Sequence, residues 1–300
     1  MGHAVTVVGS LNLDIVLGVG SLPGRGETVI ASTTGTGPGG KGANQAAAAA
    51  ALDPRVAMVG RVGDDPAGAG LIRDLVDRGV DVSGVLVTPG TPSGTATVAV
   101  EQDTGENLII VSPGANAALS ADDVRVPAVH AAAVVLLQLE VPMLTVTAAA
   151  VAAGGLVVLN PAPTAELPRP LRERVDVLVP NEWELGRLAG RDVTDADVDE
   201  LVDAVRALAV RNAVVTLGAR GALVVPRDGE PGLVAPPAVE PVDTTGAGDC
   251  FCGALSVALA HGATLRDAAG FAVGAAALST TGAGARGYLP DEAAVRKTLA

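Results

Sequence analysis

The chain has 300 residues, 49% of them hydrophobic but only 1% aromatic, so its core must be built from Ala, Val and Leu. That length can bury a large core as one α/β domain or two smaller ones. With 20 basic against 33 acidic residues the net charge is −13, which argues against a nucleic-acid or anionic-membrane surface; Phe251, Phe271, Trp183 and Tyr288 are too scattered for a base-stacking platform.

In chain order, residues 5–9 read as an apolar strand. No basic region or cleavage site precedes it, so the expectation is a cytoplasmic protein without a secretory signal. Residues 14–30 read as an antiparallel strand pair turning at Pro23-Gly24, 41–52 as a helix, 56–62 as a strand and 67–78 as a helix. A second strand pair, 94–111, turns at Asp103-Thr104-Gly105-Glu106. Strands follow at 133–139, 156–159, 177–179, 214–217 and 222–225, with helices at 143–153, 182–189, 196–209, 247–260 and 265–280. Continuously apolar strands separated by helices predict a mostly parallel sheet covered on both faces. The two alternating pairs predict a small sheet inserted twice, over about 14–34 and 94–111, as a cover across the strand ends. Residues 141–165 carry no charge, yet Pro142, Gly154, Gly155, Pro161 and Pro163 break them into a helix and a strand, which excludes a membrane span.

The run Asp243-Thr244-Thr245-Gly246-Ala247-Gly248-Asp249 is the most informative in the chain. Its glycines tolerate φ > 0 and let successive N–H groups converge, and the helix expected to begin there adds orphan donors and a positive dipole end. A carboxylate at the mouth of such an anion cradle has a use as a proton acceptor, so Asp249 points to phosphoryl transfer onto a hydroxyl; the competing reading is an N-cap aspartate. Gly39-Gly40-Lys41-Gly42-Ala43-Asn44-Gln45, after Gly35, nearly spells a P-loop, but Gly42 stands where Ser/Thr should hold magnesium and residues 33–38 read as a turn. What remains is a glycine-lined helix start approaching a ligand, or a plain tight turn; Asn44 offers both a donor and an acceptor.

Asn12 and Asp14 share one face of an extended segment, and Glu140 ends the strand at 133–139. Strand C-terminal ends line the ligand crevice of α/β sheets, so these side chains suit a polyol, or are solvated strand ends. Asn181 and Glu184 share a helix face as hard-oxygen ligands for a water-retaining magnesium ion, or as a capping box. Thr216-Leu217-Gly218-Ala219-Arg220-Gly221 admits a nucleotide or only makes a turn. Cys250 and Cys252 point to different sides of one helix and His3, His130 and His261 lie far apart, so neither a disulfide nor a histidine metal site is expected. No G-x-G-x-x-G follows the first strand, against a dinucleotide dehydrogenase.

The two glycine motifs, in this order, resemble the hallmarks of the ribokinase family of carbohydrate kinases. The resemblance covers nearly the whole chain and extends to residues 9–14, 114–120, Gln138-Leu139-Glu140 with Pro142, Asn160-Pro161-Ala162-Pro163 and Glu166-Leu167-Pro168. It implies one kinase domain over 1–300, a Rossmann-like α/β fold with a β lid, and a homodimer formed through the lids. The implied reaction is ATP-dependent phosphorylation of the 5-hydroxyl of D-ribose. Deoxyribose, fructose or adenosine are alternative substrates, and a non-catalytic sugar-binding regulator is the reading from another class. By matching position, the resemblance makes Asp249 the general base, with an anion hole at Gly246, Ala247 and Gly248. It assigns sugar contacts to Asn12, Asp14, Gly40, Lys41, Gly42, Ala43, Asn44 and Glu140. The nucleotide falls to Asn181, Thr216, Leu217, Gly218, Ala219, Arg220, Gly221, Gly248 and Val273. Glu184 is tied to magnesium through water; Asp243, Thr245, Ser279, Gly282, Gly284 and Tyr288 to a monovalent cation, usually potassium. Two positions depart from the pattern: Tyr288, where a serine is common, and apolar Val273 near the adenine.

Overall fold

The run Val5–Val8 (β1) is buried at every position and lies inside a nine-stranded sheet. The computed structural model describes residues 2–194 and 196–299; positions 1, 195 and 300 of the expected domain lie outside the described residues. The further strands are β2 (Asn12–Val19), β3 (Thr33–Gly39), β4 (Val56–Gly63), β5 (Asp81–Thr88), β6 (Gly94–Glu101), β7 (Asn107–Ser112), β8 (Val134–Leu137), β9 (Leu156–Leu159), β10 (Val177–Leu178), β11 (Ala213–Thr216), β12 (Ala222–Val225) and β13 (Gly232–Val234). Helices are α1 (Lys41–Ala50), α2 (Pro66–Asp77), α3 (Pro127–His130), α4 (Met143–Ala152), α5 (Arg169–Arg174), α6 (Glu182–Ala189), α7 (Val198–Ala207), α8 (Ala247–Ala260), α9 (Leu265–Ser279) and α10 (Glu292–Leu299).

The large sheet runs β13-β12-β11-β10-β9-β8-β1-β4-β5, parallel from β10–β11 through β5 and antiparallel at β11–β12–β13. Alternate residues of each buried strand serve opposite faces. Val134 and Leu136 join the core under α1, α8 and α9, whereas Val135 and Leu137 join the one under α4, α6 and α7. Both faces are therefore covered, as continuous apolar strands require.

The smaller sheet runs β3-β2-β6-β7. Within each pair the strands are antiparallel, but β2 and β6 pair in parallel, with Asn12 opposite Gly94. This corrects the expectation of antiparallel strands throughout. The first pair also returns later than the turn at Pro23-Gly24 implied: residues 20–32 form an irregular connection and the return strand is Thr33–Gly39. That segment, expected as a turn from its Gly and Pro content, is held extended by pairing with β2 over Asn12–Gly18. Tertiary pairing outweighs local propensity here. Since β2 follows β1 and β3 feeds α1, the small sheet is rooted at the strand ends that carry Asn12, Asp14 and Lys41.

Candidate active site

The start of α1 is pressed against the segment that leaves β1. Gly40 has φ 86°, and a Cβ on Gly40 or Gly42 would meet the backbone N of Asn12 or Ser10 at 2.8 or 2.6 Å. These glycines thus serve the approach of two backbones. The junction is locked by Glu140, whose Oε2 accepts from Ser10 Oγ at 2.5 Å and from the Lys41 backbone N at 3.0 Å. Asn116, in the helical turn Gly114–Ala118, accepts from Leu11 N at 2.9 Å and donates to Asn12 Oδ1 at 2.7 Å.

Asp14 lies two residues along β2 from Asn12, on the same face. Its carboxyl occupies the space a side chain would need at Gly39, where a Cβ would fall 2.0 Å from Oδ2. Oδ1 is buried with no hydrogen-bond partner among the described residues. Burial, then the charges of Glu140 and Asp249, push this carboxyl up to about 6, with Arg286 opposing them. A buried acceptor without a donor marks a place for a ligand hydroxyl.

Asp249 sits in the first turn of α8 but does not cap it. Gly246 is the N-cap residue, at φ 77°, and among the described residues no side chain caps the helix. Instead Asp249 Oδ2 accepts from Asn44 Nδ2 at 3.0 Å and Oδ1 from Gln45 Nε2 at 2.9 Å. Gln45 is fully buried; its Oε1 accepts from Gln138 Nε2 at 2.5 Å, and its Nε2 also reaches Asn160 Oδ1 at 3.3 Å. Arg286 Nε donates to Asn44 Oδ1 at 2.8 Å. Lys41 Nζ is held above its ordinary value chiefly by the Asp249 carboxylate, and against burial by Glu140 and Glu184 as well.

Before α8, the Ala247 N–H donates to Thr244 O at 3.2 Å. The N–H groups of Gly246, Gly248 and Asp249 make no hydrogen bond among the described residues, and the space above the Gly248 Cα is open. The available anion donors are therefore Gly246, Gly248 and Asp249 itself, with Ala247 committed elsewhere.

On the expected nucleotide side, Asn181 bridges Thr216 and the two residues form one edge. Asn181 and Glu184 make a reciprocal capping box at 2.7 and 2.9 Å. Glu184 is nevertheless buried rather than exposed, its carboxyl raised by desolvation and by Asp249, against the Asn181 N–H and Lys41. One oxygen serves the cap and the other is free for water, which fits a magnesium ion held through water and nucleotide phosphates; among the described residues no three His, Cys, Asp or Glu side chains gather as a metal cluster. Leu217 is buried, Gly218–Arg220 form one 3₁₀ turn closed by Gly221, Ala219 is exposed on that turn, and Arg220 pairs with Glu182. Val273 belongs to the buried core on α9, so it does not lie open to the groove as expected.

The residues matched to a monovalent cation lie at the end of α9 and on two loops that Asp243 joins: its Oδ1 accepts from Thr245 N and its Oδ2 from Gly284 N, both at 2.8 Å. Burial alone would raise this carboxyl, but those donors hold it low, so it stays ionised. Ser279 Oγ is spent on Ala276 O, and Tyr288 packs its Cβ against Gly282. A carboxylate with neighbouring carbonyls is a hard-oxygen set that fits an alkali cation.

Sequence reasoning missed Gln45, Gln138, Asn160 and Arg286 as partners of the site. Gln45, Gln138 and Asn160 stood inside motifs already singled out; Arg286 carried no signal in one dimension.

The arrangement holds the Asp249 side chain between two amides, an uncommitted set of N–H donors beside it, and an unpaired acceptor for a polyol. Comparison with known proteins agrees. Residues 3–292 match the model described as pfkB family carbohydrate kinase. The chain is 38% identical to a ribokinase of Schizosaccharomyces pombe, over 96% of this chain and 95% of that one. It is 37% identical to a deoxyribokinase of Salmonella typhi, over 96% of this chain and 95% of that one. The structure of Arabidopsis thaliana ribokinase complexed with ribose and ATP superposes with a TM-score of 0.89 at 35% identity, covering 100% of this chain and 99% of that one. The chain therefore belongs to the pfkB family of carbohydrate kinases.

Proposed function

We propose that this protein transfers the γ-phosphoryl group of ATP to the 5-hydroxyl of D-ribose. The observation that carries the reading is Asp249, with one amide donor on each carboxylate oxygen and open N–H groups alongside. The sugar's O5–phosphorus bond forms as the β,γ-bridging bond breaks; the hydroxyl proton passes to Asp249 and ADP leaves with the bridging oxygen. Such a transition state is loose, with charge on peripheral oxygens, so the N–H groups of Gly246, Gly248 and Asp249 are placed to stabilise charge that develops. Lys41 contributes a fixed positive charge close to Asp249 and Glu184.

Asp14 Oδ1, Asn12 Nδ2 and Asn44 are the groups available to the sugar hydroxyls. Asn181, Thr216 and the turn Gly218–Arg220 are assigned to the nucleotide. Magnesium would be held through water by Glu184 and would neutralise phosphate charge; potassium would be held by Asp243 with loop carbonyls. The small sheet is assigned as a lid within a single kinase domain. Leu108, Ile109, Ile110 and Val111 are exposed on its edge strand β7, on both faces. An apolar edge strand needs a cover, which supports a homodimer formed lid to lid. Among the described residues no helix is long and apolar enough to cross a membrane, and two free buried cysteines suit a reducing cytoplasm.

The test is a coupled assay of ADP formation over a sugar panel. D-ribose is expected to give the largest kcat/KM; strong stimulation by deoxyribose, with none by ribose, would reassign the substrate within the family, which the deoxyribokinase relative makes the alternative to watch.

A further inference from the structure

Arg286 is the least expected member of the site. It lies on the loop after α9, and its side chain is 5% exposed. Each of its nitrogens serves a different element: Nε donates to Asn44 Oδ1 on α1 at 2.8 Å, Nη2 to Gly39 O at the end of β3 at 3.3 Å, and Nη1 pairs with Asp74 on α2. Asp74 also binds Arg78 at 3.1 Å. Two residues before Arg286, Gly284 N holds the loop to Asp243.

A guanidinium can only donate. The Asn44 atom facing Arg286 Nε must therefore be the amide oxygen, so Nδ2 must face Asp249, and it does, at 3.0 Å. Without Arg286 the Asn44 oxygen loses its donor, and the Asp249 carboxylate alone is left to hold the amide in place. We propose that Arg286 is a positioning residue: it fixes the Asn44 amide, and through it the Asp249 carboxylate, so that the geometry of the base depends on the seating of the 280–288 loop. The inference rests on the assignment of Asp249 as base made above. It gives the loop a role in turnover that requires no contact with either substrate.

The test uses Arg286→Met, which keeps volume but loses every donor, and Arg286→Lys, which keeps the charge facing Asp74 but loses the planar Nε–H. A misplacement of the reacting groups by about 1 Å costs on the order of 100-fold. The expected result is a kcat lower by about 10–100-fold in both variants, with the KM for ATP changed less than about threefold. The double variant Arg286→Met with Asn44→Ala should be no slower than Asn44→Ala alone, since both changes remove one interaction. A crystal structure of Arg286→Lys should show the Asn44 amide turned or Asp249 displaced. Folded variants with wild-type kcat, additive losses in the double variant, or an unmoved Asn44–Asp249 contact would each overturn the proposal. Lack of turnover by the wild-type protein on every sugar would instead sink the functional reading, and the crystallographic arm would still decide the role of Arg286.

Discussion

Gln45 and Asp249 meet across the interface of α1 and α8, with Gln45 Nε2 2.9 Å from Asp249 Oδ1. The helices come this close because Gly253 faces α1, where a Cβ would stand 2.8 Å from Gln45 O. Gln45 is completely buried and its other end is taken by Gln138, so it cannot turn away without orphaning buried groups. Gln45→Leu should lower stability by about 1–3 kcal/mol and reduce kcat, as read by denaturant unfolding and steady-state kinetics. Gln45→Glu should place a second carboxylate against the base, so that each disfavours ionisation of the other. The acid limb of kcat then moves to higher pH; an unmoved limb would contradict the contact.

Asp14 supplies the second pH dependence. Its carboxyl is raised to about 6, by burial first and then by Glu140 and Asp249. Sugar hydroxyls donate to the carboxylate, so kcat/KM for the sugar should fall about tenfold per pH unit below about 6, and Asp14→Asn should abolish that limb with a large rise in KM. Because the folded value lies above the ordinary 3.8, ionisation opposes folding. That cost is complete above about pH 6 and disappears as pH falls from 6 to 3.8. Without sugar, Asp14→Asn should therefore melt higher than wild type at pH 7.5, the gap closing by about pH 4.

Asp53 behaves in the opposite sense. It is buried after α1, where His261 Nε2 at the end of α8 lies 2.6 Å from Oδ2 and Arg55 Nη2 2.8 Å. Burial alone would raise the carboxyl, but hydrogen bonds from Arg55 and His261 hold it at about 2. Its contribution is present above the ordinary 3.8 and lost as pH falls through 2. Allowing for solvent around Arg55, Asp53→Asn should cost about 1–2 kcal/mol at pH 7, measured by urea unfolding, with the deficit gone near pH 2.

The exposed apolar residues of β7 give the prediction for assembly. Ile110 is 62% exposed and Ile109 57%. A charge at the centre of the proposed lid-to-lid interface should be intolerable, so the wild type is expected to sediment as a dimer and Ile110→Lys as a monomer. A wild-type monomer would remove the dimer proposal.

Much of the large sheet was legible because its signals are local. Leu156–Leu159 and Ala222–Val225 are short apolar runs bounded by breakers, and Glu182–Ala189 begins at an Asn-Glu capping pair; each forms where its residues predict. Thr33–Gly39 was not legible, since its composition is that of a turn and only pairing with β2 makes it a strand. Asp81–Thr88 escaped for a similar reason: Asp, Ser and Gly interrupt its apolar run, yet it pairs along β4. Within the site, the carboxylates were visible as motif residues at strand and helix ends. Their supports were not, because the Arg286–Asn44 contact joins residues 242 positions apart, and nothing local to either residue encodes it. The glycines of the first motif were read as ligand-facing, but a contact with Ser10–Asn12 accounts for two of them.

The most direct measurement is the turnover of Asp249→Asn at saturating sugar and ATP, alongside sugar affinity by calorimetry. The amide keeps the volume of the carboxyl but cannot take the hydroxyl proton, so kcat should fall by about 10²–10⁴-fold while the Kd for the sugar stays within a few-fold of wild type. Turnover near that of the wild type would show that the proton goes elsewhere, and Asp249 would then be a structural partner of Asn44 and Gln45, not the base.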